Sequence, residues 1–437
     1  MFSGIILVNW DRGAGEPGPL YKLLLGEGLK HYCLRAQCFL IFAAMPCAAG
    51  DPQPATRAAQ IQAHRAAKAA HLKPERASAP HRAFRYIQER RLLDWIGPRP
   101  AGLGARFGGL GPNSGFAAGP VYIRPSLFGG PGVFRTSFVG STRLFYSGEL
   151  GYSLPKLAAG KVSLDFTALR LSFPSVDYYG PGPNSSKSGR TDYAVENTAF
   201  ETRAALNATP HVSFGGLTRF LRFTNGPGRD STYASTDSVY STSTAPGLLV
   251  PTNFMSPGVF LDLDWRSFPN GRRDGNRFLA EYSTFLNTGP GSFSFGRVNL
   301  DFRRYFALMS GQREILLRAN AVLSNAFGSG GVPFYLQPQL GGAYNLRGFR
   351  ARRFYDNDLT VVNAEYRWEV AVNLDAALFA DAGKVFSSIG VWHPFKQLQT
   401  SYGFGLRFRR NGEVFLRMDT GFSREGPQFW LSFGDLF

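Results

Sequence analysis

The 437-residue chain has only three cysteines, Cys33, Cys38 and Cys47, and nothing after Cys47 can form a disulfide, a thiolate nucleophile or a Cys-ligated metal site. A long cysteine-free remainder suits an oxidising compartment in a protein that does not rely on disulfides. No apolar run reaches the roughly 18 residues that a membrane-spanning helix needs. Charged residues make up only 18% of the chain. There is no Gly-x-Ser-x-Gly elbow, P-loop, His-Glu-x-x-His pair or EF-hand loop, so the usual signatures of acyl transfer, phosphoryl transfer and metal chemistry are missing. His64, His71 and His81 fall in one Ala/Arg-rich stretch with no second cluster of ligands, and solvated side chains are expected there. No catalytic residue, metal or cofactor is implied, and the chain reads as a non-enzyme.

Glycine (51), phenylalanine (39) and tyrosine (18) are plentiful. This mixture suits many strands with aromatic belts and Gly-rich turns better than a helical enzyme. The formal charge is +17, yet Arg57–Arg106 alone holds eleven Lys/Arg against three Asp/Glu. Attraction of that stretch to anionic lipid headgroups is as simple a reading as nucleic acid, which is not expected as a partner.

The chain divides into three parts. In residues 1–49, the run Cys38–Met45 follows Lys30 and Arg35 and precedes Pro46-Cys47-Ala48-Ala49, which reads as a secretory signal peptide cut near Ala49. Residues 1–29 make a long leader to it, so the true start is expected downstream of Met1. Pro46 argues against lipid modification of Cys47. Residues 50–100 form a basic, Ala-rich arm, flexible or helical, with few large apolar residues. Residues 101–437 alternate in strand-length segments separated by turns.

Sixteen such segments can be placed, the first near Ala101–Leu110 and the last near Gln428–Phe437, and an even number suits a bacterial barrel. Long connections at Phe173–Asp192, Thr224–Ser256, Ser324–Asp358 and Gly383–Thr400 then share one end, while short turns share the other. The predicted fold is an all-β, transmembrane antiparallel β-barrel of about sixteen strands. The last three strands show it most clearly. Tyr402, Phe404, Leu406 and Phe408 alternate with Gly403, Gly405, Arg407 and Arg409; Val414, Leu416 and Met418 alternate with Phe415, Arg417 and Asp419. In the final strand Phe429, Leu431, Phe433 and Phe437 line one face.

The organising stretch is Val332–Gly383. Val362, Ala364, Tyr366, Trp368 and Val370 share one side of a period-two ladder; Asn363, Glu365, Arg367 and Glu369 share the other. In the next run Leu374, Ala376, Leu378 and Ala380 oppose Asp375, Phe379, Asp381 and Gly383. Parity alone puts Glu365 and Asp381 inside a closed barrel. The preceding loop, Gly341-Gly342-Ala343-Tyr344-Asn345-Leu346-Arg347-Gly348-Phe349, carries a permanently charged guanidinium that forks onto carboxylates. Arg347 folded into the lumen against Glu365 and Asp381 is the expected arrangement; a solvated loop arginine is the alternative. Carboxylates such as Glu365, Glu369, Asp381 and Asp419 admit an acid/base reading. Because Arg367, Arg407, Arg409 and Arg417 interleave with them, an ion-pair network fits better.

The Gly-Gly…Leu-Arg-Gly-Phe loop ending in Arg347, Gly348 and Phe349, the strand with Glu365, and Phe379-x-Asp381-x-Gly383 resemble the BamA/TamA-like outer-membrane barrel superfamily (bacterial surface antigen family), whose members insert or export proteins. The resemblance covers about Gly102 to Phe437 and is sharpest after Val332. It implies a bacterial outer-membrane location, a loop lock formed by Arg347, Gly348, Phe349, Glu365, Asp381 and Gly383, and outer-membrane lipids, client proteins or a periplasmic partner, and the assembly machinery as partners. That machinery would recognise the terminal strand through Phe429, Leu431, Phe433 and Phe437. Client-handling relatives usually carry periplasmic POTRA modules of about 75 residues, too long for residues 50–100, so a POTRA-less member is expected. A weak seam would run between a Gly-rich first strand (Gly102, Gly104, Gly108, Gly109) and the last, where missing side chains weaken cross-strand packing. The implied function is insertion or translocation of proteins, or lipids; the alternative is a passive pore or structural barrel.

Overall fold

The computed structural model describes residues 101–437 apart from 128–129, 269–271, 309–311 and 411. The expected signal peptide and basic arm, with Cys33, Cys38, Cys47, His64, His71 and His81, lie outside the described residues. Among the described residues no helix is long and apolar enough to cross a membrane.

Strands dominate: β1 (Gly102–Gly108), β2 (Ala117–Pro125), β3 (Val133–Ser141), β4 (Tyr146–Leu157), β5 (Val162–Tyr178), β6 (Thr191–Thr209), β7 (Val212–Pro227), β8 (Thr252–Asp264), β9 (Gly275–Asn287), β10 (Phe295–Leu308), β11 (Arg313–Ala326), β12 (Gln339–Leu340), β13 (Phe354–Tyr355), β14 (Asp358–Ala371), β15 (Leu374–Phe386), β16 (Gln399–Arg410), β17 (Glu413–Ser423) and β18 (Gly426–Phe433). Sixteen of them form one antiparallel sheet, β1 to β11 then β14 to β18, each paired with its neighbour in the chain; β12 and β13 pair with each other. The all-β, sixteen-stranded barrel expected from periodicity is the fold observed.

Alternation decides which way each strand faces. On β16, Tyr402 and Phe404 are exposed on the outer wall while Ser401 and Arg407 are buried inside. The inward residues are polar and the outward ones apolar, the reverse of a soluble core. One assignment changes: Val414 is buried rather than outward. The β16–β17 register shifts between Phe408 and Arg409, so that Phe408 pairs with Leu416 and Arg409 with Val414. The extra residue, Phe415, reverses the parity.

The barrel stops one ladder short of closure. β1 and β18 are the two ends of the strand order, and among the described residues no ladder joins them. They nevertheless lie side by side: a Cβ added to Gly108 would sit 3.0 Å from the Phe433 ring. Gly109 is not part of this edge, because β1 ends at Gly108 and Gly109 opens the following turn.

At the end with the long connections, the segments 179–190, 228–251 and 327–357 fold inward. Tyr178, Tyr193, Phe223, Ala245, Leu248, Val332, Phe334, Tyr335 and Tyr355 belong to the largest buried apolar cluster among the described residues. Tyr178 is central to it, with the rings of Tyr240, Phe334 and Tyr355 edge-on at 5.1, 5.1 and 5.0 Å. Edge-on packing suits the ring quadrupoles, and the Tyr178 hydroxyl donates to Thr244 O at 2.5 Å.

At the opposite end the C-terminus departs from expectation. Phe429 and Leu431 are exposed on the outer wall, and Phe433 is half-buried, but Phe437 is buried. The strand ends at Phe433, and Gly434, with φ of +80°, turns the chain inward. Leu436 and Phe437 then pack on Tyr305 and Leu316. Asp435 accepts from Arg367 Nη2 and Nη1 at 2.6 and 2.9 Å, and Arg273 Nη1 donates to Phe437 O at 2.8 Å. Burial alone would raise the Asp435 pKa, but Arg367 outweighs it and holds the carboxyl well below the usual range.

Candidate functional site

The site begins with two glycines. Gly341 and Gly342 have φ of +116° and +104°, and a Cβ on Gly341 would stand 2.2 Å from Arg350 O. Only glycine lets the loop double back there. Asn345 then fixes the turn: its side-chain oxygen accepts from Gly341 N at 2.9 Å and Leu346 N at 2.7 Å, and its Nδ2 donates to Gln339 O at 2.9 Å. Leu346 and Phe349 drop into a buried cluster with Leu340, Phe354, Leu359, Val361 and Val385. With those two neighbours held by apolar packing, Arg347 between them is presented to the wall of β14, β15 and β16.

The Arg347 side chain is fully buried. Its Nε and Nη2 donate to the two oxygens of Asp381 at 2.9 and 2.7 Å, and its backbone N–H donates to Asp381 Oδ2 at 3.1 Å. Nη1 donates to Glu365 Oε2. The guanidinium also lies over the Phe379 ring, 3.5 Å from its centroid, which adds a cation–π contact to the fork. Burial alone would lower the pKa of Arg347, but Asp381 and Glu365 outweigh it and raise it above the ordinary guanidinium value.

Both carboxylates are held by further donors. Asp381 accepts from Asn363 Nδ2 at 2.8 Å and Ser401 Oγ at 3.4 Å. Glu365 accepts from Arg367 Nε at 2.6 Å and from Arg407 Nε and Nη2, both at 2.8 Å. Arg407 Nη1 also approaches Asp419 at 2.7 Å, as an ion pair without hydrogen-bond alignment, and Arg417 donates to Ala343 O at 2.7 Å. The cations Arg347, Arg367, Arg407 and Arg417 are thus matched by Glu365, Asp381, Asp419 and Asp435. Every carboxylate of this set is engaged by a guanidinium, as an ion-pair network requires.

The backbone of the loop is also fastened. Trp430 Nε1 of β18 donates to Arg347 O at 2.7 Å, and Ser423 Oγ donates to Gly348 O at 2.7 Å. Glycines on the wall make room for this approach. A Cβ on Gly421 would fall 2.4 Å from Arg347 O, and one on Gly348 would fall 2.5 Å from the Ser401 Cβ. Gly383 sits higher, where its Cβ would meet Leu340 Cδ1 and Thr360 O at 3.0 Å. It seats the apolar side of the loop and does not touch the guanidinium.

Arg347, Glu365 and Asp381 therefore meet, and Phe349 lies behind them, edge-on to Phe354 at 5.4 Å. Gly102, Gly104 and Gly108 lie on β1, outside this cluster. Sequence reasoning missed Asn363, Trp430, Gly421 and Asp435. Asn363 was visible as the inward residue two before Glu365. Trp430 was visible as the one aromatic on the inward parity of the last strand. Nothing local marked Gly421 or Asp435, whose partners are remote in sequence.

The family model of the Omp85 superfamily domain matches residues 127–423. Among solved structures the chain is similar to BamA from Haemophilus ducreyi lacking POTRA domains 1-3, with a TM-score of 0.55 and 14% identity over 76% of this chain and 68% of that one. It is also similar to CdiB from Escherichia coli, with a TM-score of 0.50 and 13% identity over 78% of this chain and 61% of that one. CdiB from Acinetobacter baumannii gives a TM-score of 0.47 and 14% identity over 74% and 56%. The chain spans less than two thirds of either CdiB. At these identities the likeness is one of fold. No curated protein matches the sequence.

Proposed function

The chain belongs to the Omp85 superfamily, and from that premise we propose that it is a bacterial outer-membrane barrel that assists proteins, or lipids, to enter or cross the membrane at the seam between β1 and β18. The observation that carries this reading is that, among the described residues, no ladder joins two adjacent strands of an otherwise continuous sixteen-stranded sheet. Unpaired strand edges offer N–H and C=O groups to any incoming strand. A client could therefore pair at the seam without entering the lumen.

In this reading the Arg347 loop is a lock. Its ion pairs with Glu365 and Asp381 hold the loop inside the barrel, and the Trp430 bond to Arg347 O ties the loop to β18, one edge of the seam. Phe429 and Leu431 on the outer wall of β18 serve in the chain's own recognition by the assembly machinery. Phe433 and Phe437 belong to the same signal, which is read before the barrel folds; Phe437 turns inward only in the folded chain.

The rival is a passive pore. The buried apolar cluster at the long-loop end and the inserted Arg347 loop both fill space that a conducting channel needs open. The test is photocrosslinking in cells from Leu103 on β1 and Gln428 on β18. Trapped nascent outer-membrane proteins are expected from the seam. A folded barrel that traps none at either edge, and that conducts in planar bilayers with Arg347 intact, would establish the pore instead.

A further inference from the structure

The connection between β15 and β16 behaves unlike the other long connections at its end of the barrel. The segments 228–251 and 327–357 send apolar side chains inward, to the cluster around Tyr178 or the one around Leu346, and Tyr179, the one large apolar residue of 179–190, is buried under Arg353. Residues 387–397 are exposed throughout, and they include Ile389, Val391, Trp392 and Phe395, the last 86% exposed.

Two fastenings show which way this loop leans. Trp392 Nε1 donates to Thr360 Oγ1 at 3.4 Å, and Lys384 Nζ donates to His393 O at 2.9 Å and Lys396 O at 3.1 Å. Thr360 and Lys384 pair with each other across β14 and β15, and both have the parity of the outer wall. The intervening residues Val361 and Val385 belong to the inner cluster around Leu346. The loop is thus pulled over the outside of the barrel, and its carbonyls shield the Lys384 ammonium. Below it, on the same three strands, Val362, Leu378, Tyr402 and Phe404 form an exposed apolar band. The loop's apolar residues continue that band upward.

We propose that residues 387–397 are a membrane-interface anchor that seats in the lipid leaflet at the long-loop end of the barrel. Ile389, Val391 and Phe395 enter the acyl boundary, Trp392 lies at headgroup level, and Lys396 meets lipid phosphate. A Trp beside aliphatic and aromatic residues and a lysine is the composition favoured at that depth, where an amphipathic ring is half wet and a long cation reaches outward. The occupant is lipid because the patch is continuous with the wall that faces the bilayer. The loop would fix the height and tilt of β14–β16 in the membrane.

This inference rests on the reading that the barrel spans a membrane, not on client handling. The test uses the full chain with Cys33, Cys38 and Cys47 replaced by serine, and a single cysteine at Phe395, Val391, Leu378 or Leu249, each carrying an environment-sensitive fluorophore. The barrel is reconstituted in phosphatidylcholine–phosphatidylglycerol vesicles, with folding checked by heat-modifiable mobility. Brominated lipid is expected to quench the labels at 395 and 391 several-fold more than the one at 249, on an exposed residue of the 228–251 segment, while aqueous iodide shows the reverse. If 378 is quenched by brominated lipid but 395 and 391 respond to iodide as 249 does, the anchor is refuted, the membrane reading stands, and a protein partner becomes the better occupant. If 378 is not quenched either, both fail.

Discussion

The two edges of the seam are built differently. β18 is fastened from inside: Trp430 donates to the backbone of the Arg347 loop, Asp435 binds Arg367, and Phe437 is packed against Tyr305 and Leu316. β1 is seven residues long, three of them glycine, none of its residues is fully buried, and among the described residues it pairs with β2 alone. Phe107, stacked with Phe116 at 6.4 Å, is one of its few large contacts. If the seam opens, β1 is the side that yields, and β18 stays with the wall that carries the lock.

The largest expected effect is on the fastened edge. Glu365→Ala leaves Arg347, Arg367 and Arg407 short of a shared carboxylate, and removing one partner from a buried ionic cluster costs about 3–5 kcal/mol. Denaturant unfolding should show that loss, with the protease resistance of the 327–357 loop falling in step. An unchanged midpoint would mean that solvent reaches the cluster. Asp435→Asn removes a charged acceptor from Arg367 and Arg273. It should cost about 1.5–3 kcal/mol and raise hydrogen exchange in β18 while leaving β1 as it was.

A pH change should tighten the same loop. Asp356, beside β13, has its pKa raised to about 6, chiefly by burial and also by Asp358, against the pull of the Asn357 N–H. Its ionised form is the penalised one, so the folded state takes up the proton first as pH falls. Stability is gained as pH drops from 7 through 6, by about 1 kcal/mol at pH 5. The gain should vanish in Asp356→Asn, with thermal midpoints at the two pH values as the readout. The smallest effect belongs to the loose edge. Phe107→Ala should cost about 1 kcal/mol and change exchange only in β1 and β2. A larger or more distant response would contradict the independence of the two edges.

Much of this was legible in the chain because a barrel obeys a period of two. Parity alone put Val362 outside and Asp381 inside, and it separated Tyr402 from Arg407. It failed where the period breaks: at Phe415, an extra residue that turns Val414 inward, and at Gly434, whose left-handed backbone sends Phe437 into the lumen instead of onto the lipid face. Gly421 was invisible for another reason. Its role is to leave space beneath the carbonyl of Arg347, far away in sequence, and an absent side chain has no pattern of its own.

Hydrogen exchange of the reconstituted barrel, followed peptide by peptide across β1 and β18, separates a fastened edge from a loose one. β1 should exchange faster than β18 in the wild type, and Arg347→Ala should strip protection from β18 while β1 keeps its rate. Equal exchange at both edges, or a β18 indifferent to the loss of Arg347, would contradict that asymmetry.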